Sequence, residues 1–92
     1  MARVVVSLRI MPQSPEADLS ELESKAKKEI VDFCSSEQFK VEVQPIAFGL
    51  KALMILFVME ESIGSTEKLE QKISQLDGVE SVEVTDVRRA VG

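Results

Sequence analysis

The chain contains no histidine, no asparagine and a single cysteine. Without histidine it lacks the commonest general base, the usual zinc ligand and every Ser-His arrangement. The one cysteine, Cys34, has no partner for an internal disulfide. It falls at the end of an expected helix, where a small, half-buried hydrophobe is the ordinary role. No run of about 18 apolar residues occurs, so no membrane-spanning helix is expected. The opening MARVVVSLRI has no small-residue cleavage site and alternates like a strand, so it does not read as a signal peptide. The expectation is a cytoplasmic protein. Gly64 to Lys68, GSTEK, has a glycine and a lysine but not the spacing of a phosphate cradle. Positive charge is also scarce. Eleven basic residues against sixteen acidic ones give a net charge of -5, which argues against binding nucleic acid by neutralising phosphates.

What is present fits one small domain spanning residues 1–92. Apolar residues make up 45% of the chain, enough for a single core. Val4, Val6, Leu8 and Ile10 alternate with Arg3, Val5, Ser7 and Arg9, which predicts a half-buried strand over Arg3 to Met11. Pro12, Ser14 and Pro15 end it. Leu19, Leu22, Ala26, Ile30 and Phe33 lie on one helical stripe and predict a helix over about Asp18 to Phe33. Asp18 is a good N-cap, with Glu21 completing a capping-box-like pair, and Lys25, Lys27 and Lys28 fall toward the C-terminal half, where the helix dipole favours cations. Two strands follow, Lys40 to Gln44 and Lys51 to Glu60. The second is apolar at every position from Ala52 to Met59, the mark of a central strand covered on both faces. A second helix is expected over Thr66 to Leu76, capped by Ser65 or Thr66, with Gly78 just past its end. A last strand covers Glu80 to Val87, with Val82 and Val84 inward. Val87 breaks that alternation, so the ladder should bulge or stop near Asp86.

The order β-α-β-β-α-β predicts an α+β, ferredoxin-like sandwich. Right-handed crossovers give an antiparallel four-stranded sheet of order 4-1-3-2 with both helices on one face. The hairpin PIAFGLKAL, Pro45 to Leu53, then lies at one end of the sheet and the segment from Asp86 onward at the other. The open face should carry Val5, Ser7, Arg9, Met54, Leu56 and Val58. Either that apolar surface is an interface or it is covered by flanking long side chains or by a second copy in a crystal dimer.

Phe48 stands at the hairpin tip, where turn residues are normally small or polar. It either folds back to close the core or serves as an aromatic anchor for another protein. Gly49 beside it permits the positive φ of a sharp tip. Arg88 and Arg89 are either a solvated tail or a contact for an acidic or phosphate-bearing site. Glu60 and Glu61, adjacent at the end of a strand, point to opposite faces and make a poor catalytic dyad. The methionines suit core or interface filling rather than ligation.

Four segments carry a family resemblance: VVVSLRIMPQSPEADLSEL, PIAFGLKAL, GSTEKLE and VESVEVTDVRR. The chain resembles the nucleotide-exchange domain of translation elongation factor one-beta in its short archaeal form. The similarity covers nearly the whole length, and PIAFGLKAL is its most specific part. The resemblance implies a guanine-nucleotide exchange factor without covalent chemistry or cofactor of its own. The implied partner is elongation factor one-alpha, the GTPase that delivers aminoacyl-tRNA. It also implies that the two ends of the domain meet different domains of that GTPase. The hairpin aromatic, Phe48, would meet the second domain and the C-terminal end the nucleotide-binding domain. Gly49, Lys51, Asp86, Arg88 and Arg89 are the other expected partner-binding residues, Lys51 matching the first basic residue after the family's hairpin without gaining a role from that alone. An acidic domain can be steered to the basic tRNA-binding surface of such a partner and compete with tRNA there. Longer relatives carry a lysine near the chain end that approaches the magnesium site. Aligning the shared Thr-Asp puts Gly92 at or near that position, and no lysine follows Lys72. That lysine's role therefore does not carry over.

Rival functions follow from the same fold. An RNA-binding module would need stacking aromatics on the central strands, and the open face offers none. A phosphatase-like enzyme of this shape would need an arginine and an amide near the first loop, and the absence of any asparagine counts against it. The better rival is a small-molecule regulatory domain that dimerises through its open face.

Overall fold

The computed structural model describes residues 2–36 and 38–89. Among them the elements run β1 (Arg3–Pro12), α1 (Leu19–Cys34), β2 (Phe39–Pro45), β3 (Lys51–Glu60), α2 (Glu67–Ser74) and β4 (Val79–Arg89). Single 3-10 turns, Ala47–Gly49 and Glu61–Ile63, follow β2 and β3. The sheet order is β2-β3-β1-β4, the expected 4-1-3-2 read from the other edge, and every neighbouring pair is antiparallel. This is the ferredoxin-like α+β fold.

Alternation in β1 puts Val6, Leu8 and Ile10 in the core, and Leu53, Ile55, Phe57 and Met59 do the same from β3. Helix α1 lays Leu22, Ala26 and Ile30 on that face, and α2 adds Leu69 and Ile73. Asp18 caps α1 by accepting a hydrogen bond from the Glu21 amide at 3.2 Å. The reciprocal half of the capping box is not made, because the Glu21 carboxylate pairs with Lys25 at 2.9 Å. Lys25 and Lys27 serve such pairs rather than the helix end. Lys27 meets Glu23 at 2.9 Å, and the last turn carries no basic residue. Helix α2 is shorter than expected. Ser65 Oγ accepts from the Glu67 amide, while Thr66 turns its hydroxyl to Glu70, and Gly78 at φ +89° belongs to the turn into β4 rather than to the helix end.

The irregularity expected near Asp86 is a bulge at Thr85, and the strand continues past Val87 to Arg89. Leu8 pairs with Val84 and Ser7 with Asp86, so Thr85 is the extra residue. Its hydroxyl donates to the Ser7 carbonyl at 3.3 Å. The cause lies in the side chains. Unbroken pairing would slide Asp86 opposite buried Val6 and set Arg89 opposite Arg3. The bulge instead sets Val87 opposite Val6 and returns Asp86 to the open face.

The open face is less naked than the sequence suggests. Val5, Met54, Leu56 and Val58 are half-buried, and none ranks among the exposed large hydrophobic residues. Long charged side chains flank them. Arg9 crosses from β1 to Glu83 at 2.7 Å, Lys40 meets Glu42 at 3.5 Å, and Arg88 meets Asp86 at 2.6 Å. Half-covering by ion pairs is the arrangement that keeps such a face from acting as a sticky surface.

Candidate functional site: the two ends of the sheet

The β2–β3 hairpin closes with Pro45 opposite Lys51. The Ile46 amide donates to the Leu50 carbonyl at 2.7 Å, and the Leu50 amide to Ala47 at 3.3 Å. These bonds leave only a few residues to turn the chain. Both tip residues take the left-handed conformation, Phe48 at φ 63° and ψ 31° and Gly49 at φ +77°. Glycine reaches that region freely, but a bulky residue there is an outlier. Strain of this kind costs about 1–3 kcal/mol and tends to gather where a protein binds something. A Cβ on Gly49 would lie 4.0 Å from the Pro15 Cβ, so the backbone angle, not crowding, requires glycine.

The ring of Phe48 is 94% exposed. It does not fold back onto the sheet, and of the two roles open to it the core-closing one is ruled out. Val43 and Ile46 beside it are also exposed, which sequence reasoning did not single out. Pairing in register with β3 puts Val43 on the helix side of the edge strand.

Arg88 and Arg89 lie toward the opposite end of a molecule 42 Å long, whereas Asp86, expected there too, pairs with Ser7 near the middle of β1 because the bulge at Thr85 holds it back. The arginines form part of β4 rather than a loose tail, and adjacency in a strand separates them. Arg88 pairs in register with Val5 and faces the open side, whereas Arg89 pairs with Val4 and faces the helix side. Arg88 Nε meets the Asp86 carboxylate, and Arg89 Nη2 donates to Glu61 Oε1 at 3.1 Å. The Glu61 hydrogen bond, aided by its charge, pushes the Arg89 guanidinium up from its ordinary range. On β1, Arg3 meets Glu60 at 3.4 Å. Each arginine at this end therefore already has an acidic partner. Glu60 and Glu61, a poor catalytic dyad, serve instead as the partners of Arg3 and Arg89. The topology holds the clue to their role, since β3 and β4 run the same way and finish at the same end. Gly92, where the family's lysine would align, lies outside the described residues.

The same end has a cleft of about 310 Å³ between β1, β3 and the end of α1, lined by Arg3, Cys34, Ser36 and Glu60 among others. Burial pushes the Cys34 thiol up from its ordinary value. Iodoacetamide labelling of Cys34 at neutral pH is expected to be slower than that of a free cysteine peptide and to reach the peptide rate in denaturant, because the thiolate is the reactive form. Since the folded-state value is the higher one, this group's stabilising contribution is present at neutral pH and is lost as pH rises through the thiol range. Equal labelling rates of folded and unfolded protein would show that burial does not protect the thiol. Among the described residues no three Cys, Asp or Glu side chains gather as a metal cluster.

The geometry presents an exposed aromatic at one end and a strand-borne pair of arginines at the other. Comparison with known proteins gives the family. Residues 5–90 match the family model of the EF-1 guanine nucleotide exchange domain. The chain belongs to that family. Among its relatives, elongation factor 1-beta of Methanothermobacter thermautotrophicus is 40% identical, over 97% of this chain and 98% of the relative. The protein of the same name from Methanobrevibacter smithii is 45% identical with the same coverage. That of Staphylothermus marinus is 41% identical, again over 97% and 98%. Among solved structures, a de novo designed protein, Foldit4, superposes with a TM-score of 0.61 at 23% identity, covering 98% of both chains. At that identity the likeness concerns the fold alone.

Proposed function

We propose that this protein is the nucleotide-exchange factor of translation elongation, acting on elongation factor one-alpha in the cytoplasm as a single domain. It would speed release of GDP so that GTP can load, without covalent chemistry of its own. The observation that carries this reading is the strained, fully presented Phe48 in a chain of the exchange-domain family. The hairpin residues Phe48, Gly49 and Lys51 anchor one domain of the GTPase. The end of β4, with Arg88 and Arg89 at the far end of the long axis and Asp86 behind them on the same strand, is brought to the nucleotide-binding domain. A rigid sheet joins the two contacts, so seating the anchor delivers the β4 end to a fixed place.

Linkage governs the rest. A factor that binds the nucleotide-free GTPase more tightly than its GDP form weakens GDP binding by the same ratio. It alters the rate of exchange and leaves the final GDP/GTP balance unchanged. GTP must then expel the factor, so tight but reversible binding through a few anchors suits the task.

The deciding experiment is release of fluorescent GDP from the cognate GTPase in magnesium, with and without the protein. Acceleration that saturates with protein concentration is the expected result. A folded, nucleotide-loaded GTPase whose release rate is unchanged would remove this reading.

A further inference from the structure

Glu61 is held more firmly than a surface glutamate usually is. Its amide donates to the Ala2 carbonyl at 3.0 Å, and its own carbonyl accepts from the Gly64 amide at 3.1 Å. Its backbone is thus tied to the strand beginning at Arg3 on one side and to the turn leading into α2 on the other. From that fixed point the carboxylate holds Arg89, the last described residue of β4. The bulge at Thr85 makes this possible, because it sets Arg89 opposite Val4, on the side where Glu61 lies. An unbroken register would have turned Arg89 to the side of Arg3.

An ion pair this exposed adds little to global stability. It restricts where the end of β4 can go, however, and that end is an edge strand, bonded to β1 alone. Among the described residues the neighbouring Arg88 has no such tether to another element, because its partner Asp86 lies two residues away on the same strand.

We propose that Glu61 is a positioning residue for exchange: it binds Arg89 to locate the end of β4 for entry into the partner, and Arg89 acts through this bond rather than by touching nucleotide or metal. The inference rests on the exchange reading above and deepens it.

The test uses the full chain in four forms: parent, Glu61→Gln, Arg89→Glu, and the exchanged pair Glu61→Arg with Arg89→Glu. The first readout needs no partner. Backbone amide exchange at Val87 and Arg89 should quicken in both single variants and return to the parent rate in the exchanged pair, with melting temperature steady throughout. The second readout is the GDP-release assay. Each single variant should lose about ten-fold or more in maximal acceleration, within the roughly hundred-fold that a displacement of about 1 Å can cost. The half-saturating concentration should stay near the parent's, since the hairpin anchor is untouched. The exchanged pair should recover to within about two-fold, as a restored pairwise bond does in a mutant cycle. Unchanged amide exchange in Glu61→Gln would overturn the proposal, whatever the GTPase does. So would an exchanged pair as inactive as Arg89→Glu, because the charge at position 89 would then meet the partner itself. If the parent protein gives no acceleration, the exchange reading fails by itself, and the amide data still decide whether Glu61 locates the strand end.

Discussion

Phe48→Ala is expected to leave the melting temperature within a degree or two, about the noise of a neutral surface change, while crippling partner binding. The ring is 94% exposed, so its removal opens no cavity and uncovers no core. On the proposed function its value lies outside the molecule. Truncating an aromatic hot spot costs about 2 kcal/mol or more, which is about thirty-fold in the concentration of factor needed for half-maximal GDP release. Maximal acceleration at saturation should survive, because the β4 end is intact. Phe48→Gly sharpens the result. Glycine takes φ near +60° without penalty, so this variant should be at least as stable as the parent and bind no better than the alanine form. A protein that is more stable yet less able to bind shows that the tip holds strain for the sake of its partner. Unfolding of Phe48→Ala at markedly lower temperature would instead return the ring to the core.

Phe57→Ala should do the reverse. Phe57 lies in the middle of β3, in register with Val6 on one side and Phe39 on the other, and is 1% exposed. Removing its ring leaves a cavity between the sheet and the helices. Such a change costs about 3–5 kcal/mol, a large part of the total stability of a small domain. The melting temperature should fall by more than about 12 °C, given about 4–8 °C per kcal/mol at this size. In urea the midpoint should move with little change in slope, since the surface exposed on unfolding is nearly the same. Exchange activity measured cold, where the variant is still folded, should remain near the parent's. The two phenylalanines thus separate stability from binding, and equal losses in both properties for either variant would contradict the division.

The order and type of the elements were legible in the chain because local periodicity reports burial. The alternation of Val4, Val6, Leu8 and Ile10 and the stripe of Leu22, Ala26 and Ile30 are direct consequences of one face being wet and the other dry. Topology followed, since short connections and right-handed crossovers leave one arrangement of these pieces. From it came the placing of the hairpin and the arginines at opposite ends. The exposure of Phe48 was not legible. A ring beside a glycine can fold inward or outward, and the left-handed angle at residue 48 that turns it out depends on the bonds closing the hairpin.

The β4 end shows the same division. The sequence carried the sign that Val87 is out of phase, since alternation is a local property. Only the tertiary structure placed the extra residue at Thr85, because the choice depends on which side chain of β1 each residue would face: Asp86 against Val6 is intolerable, and Val87 against Val6 is not. The same choice parts Arg88 from Arg89 and brings the latter to Glu61, 28 residues away along the chain. Spacing along a chain determines which residues share a face. Pairing between distant strands determines which of them meet.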